Sequence, residues 1–392
     1  MTTNNLRFIA SLFAVLLLAG CSDDDNSEPP AELIEFSPTA EVDELWSVSP
    51  NDGSGQHFVY LEPLLLGDRI VSAGRNGRIA IVDLIQGDIS RDIDLDIGIG
   101  AGVGGDDGTW LVADQNGHVV AIDPETDELL WRKNVNSEVL TRPVVFGDTV
   151  YVRTIDGRLI SLERDSGQSN WEYSKVLPAL TLRGNAAPIL TRDWVILTQD
   201  DGHIVALEHA SGKVVWDVEV SAERGRSEIE RLNDIDGSAQ LFGRVLYVGG
   251  FQGGLAAIDM EQGRVLWARD FSTYSGVTVD EEVLYVTDER SHVWAIDRFS
   301  GATLWKQDSL TARAVTRPVL FGEYLLAGDY AGFVHIMKKS DGSFVAREAF
   351  GDEDDGIFLP PLVIGESVIV VNRGGDITAF DIQQLDIEDQ DS

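Results

Sequence analysis

Two short stretches and a pair of histidines are the places in this 392-residue chain where residue type and spacing could do chemistry. The stretch GAGVGG, from Gly100 to Gly105, fits the pattern G-x-G-x-x-G, in which backbone amides hold a dinucleotide phosphate at the start of a helix. Here the glycines lead into the strand-like stretch TWLVADQ, where a helix would be required. The pattern therefore predicts part of a β-sheet and no nucleotide site.

The second stretch, DIDLDIG from Asp92 to Gly98, alternates carboxylates as a calcium-binding loop does. A calcium loop needs glycine at its sixth position, where this chain has Ile97, and a distal glutamate that is missing here. The stretch is therefore interpreted as the solvated face of a strand. His118 and His203 both follow a glycine at the same place in two repeats, so a shared structural role explains them better than metal binding does.

Motifs of hydrolases and zinc peptidases, G-x-S-x-G and H-E-x-x-H, do not occur in the chain. Together with the two stretches above, this predicts a protein without catalytic residues, cofactor or metal. The prediction is of a non-enzymatic protein.

The N-terminus has the features of a bacterial lipoprotein signal. Residues 1–20 carry one charged side chain, Arg7, and the apolar run FIASLFAVLLLAG, and they end at Cys21, which is the only cysteine of the chain. The letters LAGC resemble a lipobox, which implies a signal peptide over residues 1–20 and a lipid on the Cys21 thiol. Ser22 in place of aspartate favours the outer membrane, with the protein facing the periplasm. The alternative is a simple secretory signal that leaves the thiol free.

The region after the lipobox is acidic and rich in proline, so residues 21–42 are predicted to form a lipidated flexible tether. The chain has 66 acidic and 30 basic residues and a net charge of -36. Such a charge excludes nucleic acid as a natural partner, because phosphate binding requires a basic surface. It also predicts that the protein meets the membrane only through its lipid anchor.

A repeated cadence of strand, turn and strand dominates the rest of the chain. Its clearest copy is GHIVALEHASGKVVW, from Gly202 to Trp216, in which apolar and polar residues alternate before a turn and a second strand ends in tryptophan. Seven further copies begin at Gly77, Gly117, Gly157, Gly253, Ser291, Gly332 and Gly375. A second apolar run with its own turn precedes each copy, so each unit holds four strands.

Eight units of about 40 residues with four strands each predict an all-β fold, an eight-bladed β-propeller. We expect each tryptophan to lie between neighbouring blades and each glycine to occupy a turn. The last unit lacks a tryptophan strand, whereas the first ordered segment, ELWSVS at residues 44–49, is a tryptophan strand without the other three. The N-terminal strand should therefore pair into the last blade and close the ring, with Trp46 near Ile377. The propeller is assigned to residues 43–382 and a disordered acidic tail to residues 383–392.

Two linkers interrupt the cadence, at residues 176–188 and 221–237. Both connect an outermost strand to the innermost strand of the next blade, so they should lie on one face of the disc, one blade apart. The first linker carries Leu180, Leu182 and Arg183. Apolar side chains next to a guanidinium are typical of binding hot spots. Asp234 and Asp236 alternate in the second. These acids either contact a partner or hold Arg183 in place, and both roles are compatible.

The lipobox, the repeats, the loop LTLRG followed by Pro188, and SEIERLNDID from Ser227 to Asp236 together resemble the BamB family of lipoproteins, which belong to the outer-membrane β-barrel assembly (BAM) machinery. The resemblance covers nearly all of the mature chain. It implies binding to the periplasmic POTRA domains of BamA, association with the other BAM-complex lipoproteins, and assistance to the insertion of outer-membrane proteins. The residues that it assigns to BamA binding are Leu180, Leu182, Arg183, Asp234 and Asp236.

Two other functions are open on the sequence. Propellers with this tryptophan repeat include periplasmic dehydrogenases that use pyrroloquinoline quinone, a class that usually has a vicinal disulfide over the cofactor, which a chain with Cys21 alone cannot form. The third hypothesis is direct binding of unfolded outer-membrane protein clients by strand addition.

Overall fold

The computed structural model describes residues 28–55, 57, 59–175, 186–220, 237 and 239–385 of the chain. Within these ranges the strands form eight four-stranded antiparallel sheets, which are arranged in a ring as an eight-bladed β-propeller. The predicted fold class is confirmed. No helix in the described part of the chain has the length and apolarity needed to cross a bilayer.

The blades follow one another along the chain, and each runs from an innermost to an outermost strand. The strands of blades 1 to 4 are β2 (Leu64–Leu66), β3 (Arg69–Ala73), β4 (Arg78–Asp83), β5 (Ile89–Asp94), β6 (Ile99–Asp106), β7 (Thr109–Asp114), β8 (His118–Ile122), β9 (Leu129–Asn134), β10 (Val144–Phe146), β11 (Thr149–Arg153), β12 (Arg158–Glu163), β13 (Ser169–Ser174), β14 (Ile189–Leu190), β15 (Trp194–Thr198), β16 (His203–Glu208) and β17 (Val214–Glu219).

Blades 5 to 7 follow the same order, and blade 8 takes its outermost strand, β1, from the N-terminus. The strands are β18 (Gln240–Phe242), β19 (Val245–Gly250), β20 (Gly254–Asp259), β21 (Arg264–Arg269), β22 (Val277–Val279), β23 (Val283–Thr287), β24 (Val293–Asp297), β25 (Thr303–Gln307), β26 (Val319–Phe321), β27 (Tyr324–Gly328), β28 (Phe333–Lys338), β29 (Phe344–Ala349), β30 (Leu362–Ile364), β31 (Ser367–Val371), β32 (Ile377–Gln384) and β1 (Ala40–Val48).

The hydrophobic core is a series of layers between neighbouring blades. The middle strands of a blade, such as β7, are buried along their whole length, because both faces of the sheet are covered by the adjacent blades. Outermost strands such as β13 alternate half-buried and exposed residues. One layer joins Leu111 and Val119 of blade 2 to Val150 and Ile160 of blade 3. Burial between sheets thus explains why the middle strands contain unbroken apolar runs.

Tryptophan and glycine hold most of the blade boundaries. The Trp131 indole nitrogen of blade 2 donates a hydrogen bond to the Arg164 carbonyl of blade 3 at 2.6 Å. The Trp131 ring also lies on Gly167, where a Cβ atom would come within 2.6 Å of the ring and where φ is +65°. The same pair of contacts occurs at six boundaries, between Trp46 and Gly87, Trp131 and Gly167, Trp171 and Gly212, Trp216 and Gly263, Trp267 and Gly301, and Trp305 and Gly342. The predicted place of tryptophan between blades is confirmed.

In six of the eight copies the glycine that opens the copy occupies a left-handed turn, as Gly202 does at φ +78°. In the sixth copy Ser291 takes the same conformation at φ +70°. In the fifth copy the left-handed glycine is Gly254, the first residue of β20, at φ +82°, instead of Gly253, which opens the copy in the sequence.

The ring closes through β1, which pairs antiparallel with β32 over eight residue pairs. Trp46 pairs with Ala379 and Val48 with Ile377, as the sequence predicts for these neighbours. Pairing of the two chain ends removes an open sheet edge.

The predicted boundary of the propeller shifts at both ends. Strand β1 begins at Ala40 instead of residue 43, and β32 continues to Gln384 instead of ending at 382. Residues 31–39, which the sequence assigned to the flexible tether, also contact the propeller, since the Ala31 amide donates to the Thr311 carbonyl at 2.9 Å. The proline and acidic residues of this segment predicted a flexible tether, but Leu33 packs in the apolar layer between blades 6 and 7.

Candidate partner-binding face

One face of the disc carries both interrupting linkers. In a four-stranded antiparallel blade, the first strand starts, the second ends, the third starts and the fourth ends on the same face. This face, here called the linker face, therefore holds the connections between blades together with the turn between the second and third strand of each blade. On this face the last strand of blade 3 ends at Ser174 and the first strand of blade 4 begins at Ile189. The last strand of blade 4 ends here at Glu219, and the first strand of blade 5 begins at Gln240. The predicted placement of the linkers one blade apart follows from these bounds.

The residues that the sequence singled out lie outside the described residues. This applies to the five linker residues and to the cysteine of the lipobox, which are Leu180, Leu182, Arg183, Asp234, Asp236 and Cys21. The structure instead shows how the two linkers are held at their ends.

A buried ion pair fixes the end of the first linker. Arg153, at the end of β11 in blade 3, binds the Asp200 carboxylate of blade 4 at 2.9 Å. Its other terminal nitrogen donates to the Ala186 carbonyl at 2.9 Å. Both charged side chains are less than a tenth exposed. Burial raises the pKa of Asp200 above its ordinary value, while the positive charge of Arg153 acts in the opposite direction. A buried charged pair with this geometry holds the linker end against two blades at once.

The start of the first linker is held by a second ion pair, formed with the turn of blade 4 that contains Asp200. The Lys175 ammonium lies 2.7 Å from the carboxylate of Asp201 and 3.8 Å from that of Asp217. Asp217 also accepts a hydrogen bond from His203 Nδ1 at 2.6 Å. His203, which the sequence linked to a shared structural role, thus lies beside a carboxylate at the rim of this face.

The second linker starts from the same turn. The Val220 amide donates to the Gly202 carbonyl at 2.9 Å. At the other end Gly237 lies so close to the next blade that a Cβ atom would come within 2.7 Å of the Gly276 amide nitrogen. The turn from Asp200 to Gly202 therefore contacts the residues that directly precede both linkers, and Arg153 connects it to the end of the first linker.

An aromatic pair beside the second linker was not found from the sequence. Phe251, in the turn of blade 5, stacks on Tyr274 of the following connection, with ring centroids 4.7 Å apart and an interplanar angle of 15°. Tyr274 is 54% exposed, and partial burial raises its pKa above the ordinary value. The fourth repeat has Asp200 where the fifth has Phe251, so an aromatic residue at a turn position was the available signal.

The stretches that could have done other chemistry have structural partners. The glycines from Gly100 to Gly105 lie within β6, and Asp92 forms an ion pair with Arg78 on the surface of blade 1. His118 Nδ1 lies 2.9 Å from the Asp114 carboxylate. Among the residues that the structure describes, no three histidine, cysteine, aspartate or glutamate side chains come together as a metal-binding group.

Fold and repeat together define a propeller of the quinoprotein-like class. Quinohemoprotein alcohol dehydrogenase from Comamonas testosteroni superimposes with a TM-score of 0.69 over 87% of this chain and 76% of that protein, at 12% identity. At this identity the likeness shows a shared fold alone.

Sequence comparison identifies the family. The profile described as "Outer membrane protein assembly factor BamB" matches residues 43–307 and 295–388. The proteins of that name from Pseudomonas aeruginosa and Bordetella pertussis are 37% and 35% identical, over 96% and 93% of this chain and 99% and 94% of theirs. The crystal structure of BamB from Moraxella catarrhalis superimposes with a TM-score of 0.78 at 26% identity, over 87% of this chain and all of that one. The chain belongs to the BamB family of outer membrane protein assembly factors.

Proposed function

We propose that this protein is a lipid-anchored, non-enzymatic scaffold of the BAM complex that faces the periplasm from the outer membrane. Cys21 would carry the lipid. The two linkers would bind the POTRA domains of BamA, and the complex would include the other BAM lipoproteins. Membership of the assembly-factor family supports the general role, and the linker face supports the particular surface.

The observation that carries the proposal is the turn from Asp200 to Gly202, which contacts the residues that directly precede both linkers. Two linkers that start from one turn would present their residues side by side. Ordering a loop before binding lowers the entropy loss on association. Leu180, Leu182 and Arg183 would thus form one contact surface with Asp234 and Asp236, whose carboxylates bind the partner, orient Arg183, or do both.

The action of such a scaffold is geometric. A protein that binds one arrangement of flexible domains more tightly than others shifts their population toward that arrangement. By docking on BamA through the linker face, the propeller would fix the relative orientation of the POTRA domains, and no chemical step is required.

The direct test is calorimetric titration of the soluble body, residues 28–392, with a BamA POTRA fragment. Arg183→Ala should weaken binding by about 2 kcal/mol or more, as truncation of a hot-spot arginine does. The matched control is Arg192→Ala, which removes an exposed arginine of blade 4 on the face opposite the linker face. Equal binding by wild type and Arg183→Ala, with unchanged thermal melts, would move the site to another face. Absence of binding by the wild type would contradict the proposed partner.

A second candidate function is direct strand addition by unfolded clients. The outermost strands present apolar side chains to solvent, including Leu129 and Leu304, each 55% exposed. Such edges can pair with an extended chain. Crosslinking of the purified protein to nascent barrel proteins without BamA tests this function, and crosslinks that appear only when BamA is present would favour scaffolding alone.

The proposal that the protein is no enzyme has its own test, because the fold is shared with quinone-dependent dehydrogenases. Mixing with pyrroloquinoline quinone and calcium should leave the quinone spectrum unchanged. Stoichiometric uptake of the quinone would contradict the scaffold proposal.

A further inference from the structure

The segment from Ala31 to Thr39, here called the strap, precedes the closing strand. The Ala31 amide donates to the Thr311 carbonyl, in the connection between blades 6 and 7, at 2.9 Å. At the other end the Thr39 amide donates to the Val345 carbonyl at 2.9 Å, and the Thr39 carbonyl accepts from the Leu385 amide at 3.1 Å. The strap therefore lies against the outermost strand of blade 7 on its way to blade 8.

Two side chains of the strap, three residues apart, point inward. Leu33 packs into the apolar layer between blades 6 and 7. Phe36 stacks on Phe344 with ring centroids 5.5 Å apart. Ile34, between them, is 45% exposed. The strap therefore has an inward side and an outward side, and the inward side chains hold it against blades 6 and 7.

Two arginines hold the backbone of the strap. Arg313 donates to the Ala31 carbonyl at 3.1 Å, and Arg347 donates to the Ile34 carbonyl at 3.1 Å. The Arg347 guanidinium also lies 5.1 Å from the centre of the Phe36 ring. Hydrogen bonds from charged donors are stronger than neutral ones, and arginine over an aromatic face adds to them.

A buried network fixes both arginines from inside blade 7. Arg313 binds Asp329 at 2.7 Å, and His335 Nε2 lies 2.9 Å from the same carboxylate. Arg347 Nε donates to His335 Nδ1 at 3.1 Å, so His335 is the neutral tautomer that donates from Nε2. The side chains of Asp329 and His335 are fully buried. The strap thus rests on groups with fixed positions.

We propose that the strap sets where the lipid-anchored N-terminus leaves the propeller, so that the edge of blade 7 is held nearest the membrane. This inference rests on the proposed lipid at Cys21. Only residues 21–30 then separate the lipid from the strap, and ten residues span at most about 35 Å. Blade 3 lies opposite blade 7 in a ring of eight, and would be the blade farthest from the bilayer.

The orientation has a consequence for the partner. The first linker starts at blade 3, and the second starts one blade further on, so both leave the half of the ring that the strap does not touch. They would lie on the side of the ring away from the lipid attachment, where a soluble periplasmic domain can reach them. The net charge of -36 acts in the same direction, since anionic lipids repel an acidic body.

The test uses the full lipoprotein, purified from membranes and reconstituted in vesicles whose lipid headgroups carry a fluorescent acceptor. Donor dyes are placed on Ala349→Cys in blade 7 or Ser174→Cys in blade 3, two exposed residues at equivalent places in the outermost strands. Cys21 carries the lipid, so the introduced cysteine is the one free thiol. We expect stronger energy transfer from position 349 than from position 174.

Undocking the strap should reduce this difference, because residues 21–39 would then separate the lipid from β1, which still pairs into blade 8. Leu33→Ser together with Phe36→Ser removes the inward contacts and leaves the buried network intact, while Ile34→Ser changes an exposed neighbour and should preserve the difference. A thermal melt confirms folding of each variant. Equal transfer from both positions in wild-type protein that floats with the vesicles overturns the inference and leaves BamA binding untouched. Protein that does not float overturns the lipid anchor and the inference together.

Discussion

The boundary between blades 2 and 3 and the boundary between blades 1 and 2 use the same geometry with different chemistry. In the first, Trp131 donates to the Arg164 carbonyl and covers Gly167. In the second, Arg91 replaces the tryptophan and donates to the Pro124 carbonyl at 2.6 Å. Asp127, at φ +62°, replaces the glycine, and its carboxylate lies 3.3 Å from Arg91.

The comparison shows that the two residues at a boundary depend on each other. An indole ring lies flat on the turn, so the turn residue cannot have a Cβ atom. A guanidinium reaches the same carbonyl without covering the turn, so a side chain is tolerated there and can carry the opposite charge. Repeats that look irregular in sequence can therefore keep the same contact between blades.

A third solution occurs where the ring closes. Ala346 of blade 7 has the tryptophan position, and it is buried together with Ala40 of the closing strand. The turn that would carry the glycine does not exist in blade 8, because its outermost strand comes from the N-terminus. Small residues at these positions leave room for the closing strand and for the segment that precedes it.

Loss of the closing strand should have the largest effect on these boundaries. A chain that begins at residue 50 lacks β1, which exposes the edge of β32 and the layer around Phe380. We expect that this chain no longer unfolds cooperatively, which urea denaturation measures, and that it aggregates, which light scattering measures. A chain that begins at residue 28 is the control. A soluble, cooperatively folded chain from residue 50 would show that the ring does not need closure.

Trp131→Ala should destabilise by about 3 to 5 kcal/mol, because it opens a cavity at a boundary where the side chain is mostly buried and loses a hydrogen bond. Urea denaturation measures the free energy of unfolding. A loss below that of Arg91→Ala would contradict the greater importance of the tryptophan boundary.

Gly212→Ala should cost about 2 to 4 kcal/mol, since a left-handed alanine is strained and its Cβ would overlap Trp171. The Cβ atom would lie 2.4 Å from the ring. Gly147→Ala is the matched control, because φ there is also left-handed, at +57°, and nothing lies within 4 Å of the added atom. The difference between the two variants measures the contact with the indole ring. Equal losses would mean that strain alone explains the glycine.

Arg91→Ala should have the smallest effect, about 1 kcal/mol or less, because its ion pair is partly exposed and screened by water. A double-mutant cycle with Asp127→Gly measures the coupling between the two residues, and this coupling should weaken as salt is added. Coupling that does not change with salt would show that the carboxylate contributes through the turn conformation and not through its charge.

Much of the fold could be predicted because each repeat contains local sequence patterns that indicate its strands and turns. Alternation of apolar residues, a turn glycine and a terminal tryptophan recur at each unit, and the incomplete units at the two ends complement each other, so Val48 could be placed beside Ile377. The two linkers could be placed on one face because strand count and direction decide the face of every connection.

The contacts that hold the linkers and the strap could not be predicted, because they join residues far apart in sequence without a repeated pattern. Arg313 lies 282 residues from Ala31, and Arg153 lies 47 residues from Asp200. Composition even suggested a tether for residues that the structure docks, since acidic and proline-rich segments favour disorder when no partner surface is considered. The sequence by itself determined the number of blades, the closure of the ring and the family. Only the tertiary structure decided which turn ties the linkers together and where the N-terminal segment lies, because burial and hydrogen bonding at those places depend on surfaces that exist only after the ring has formed.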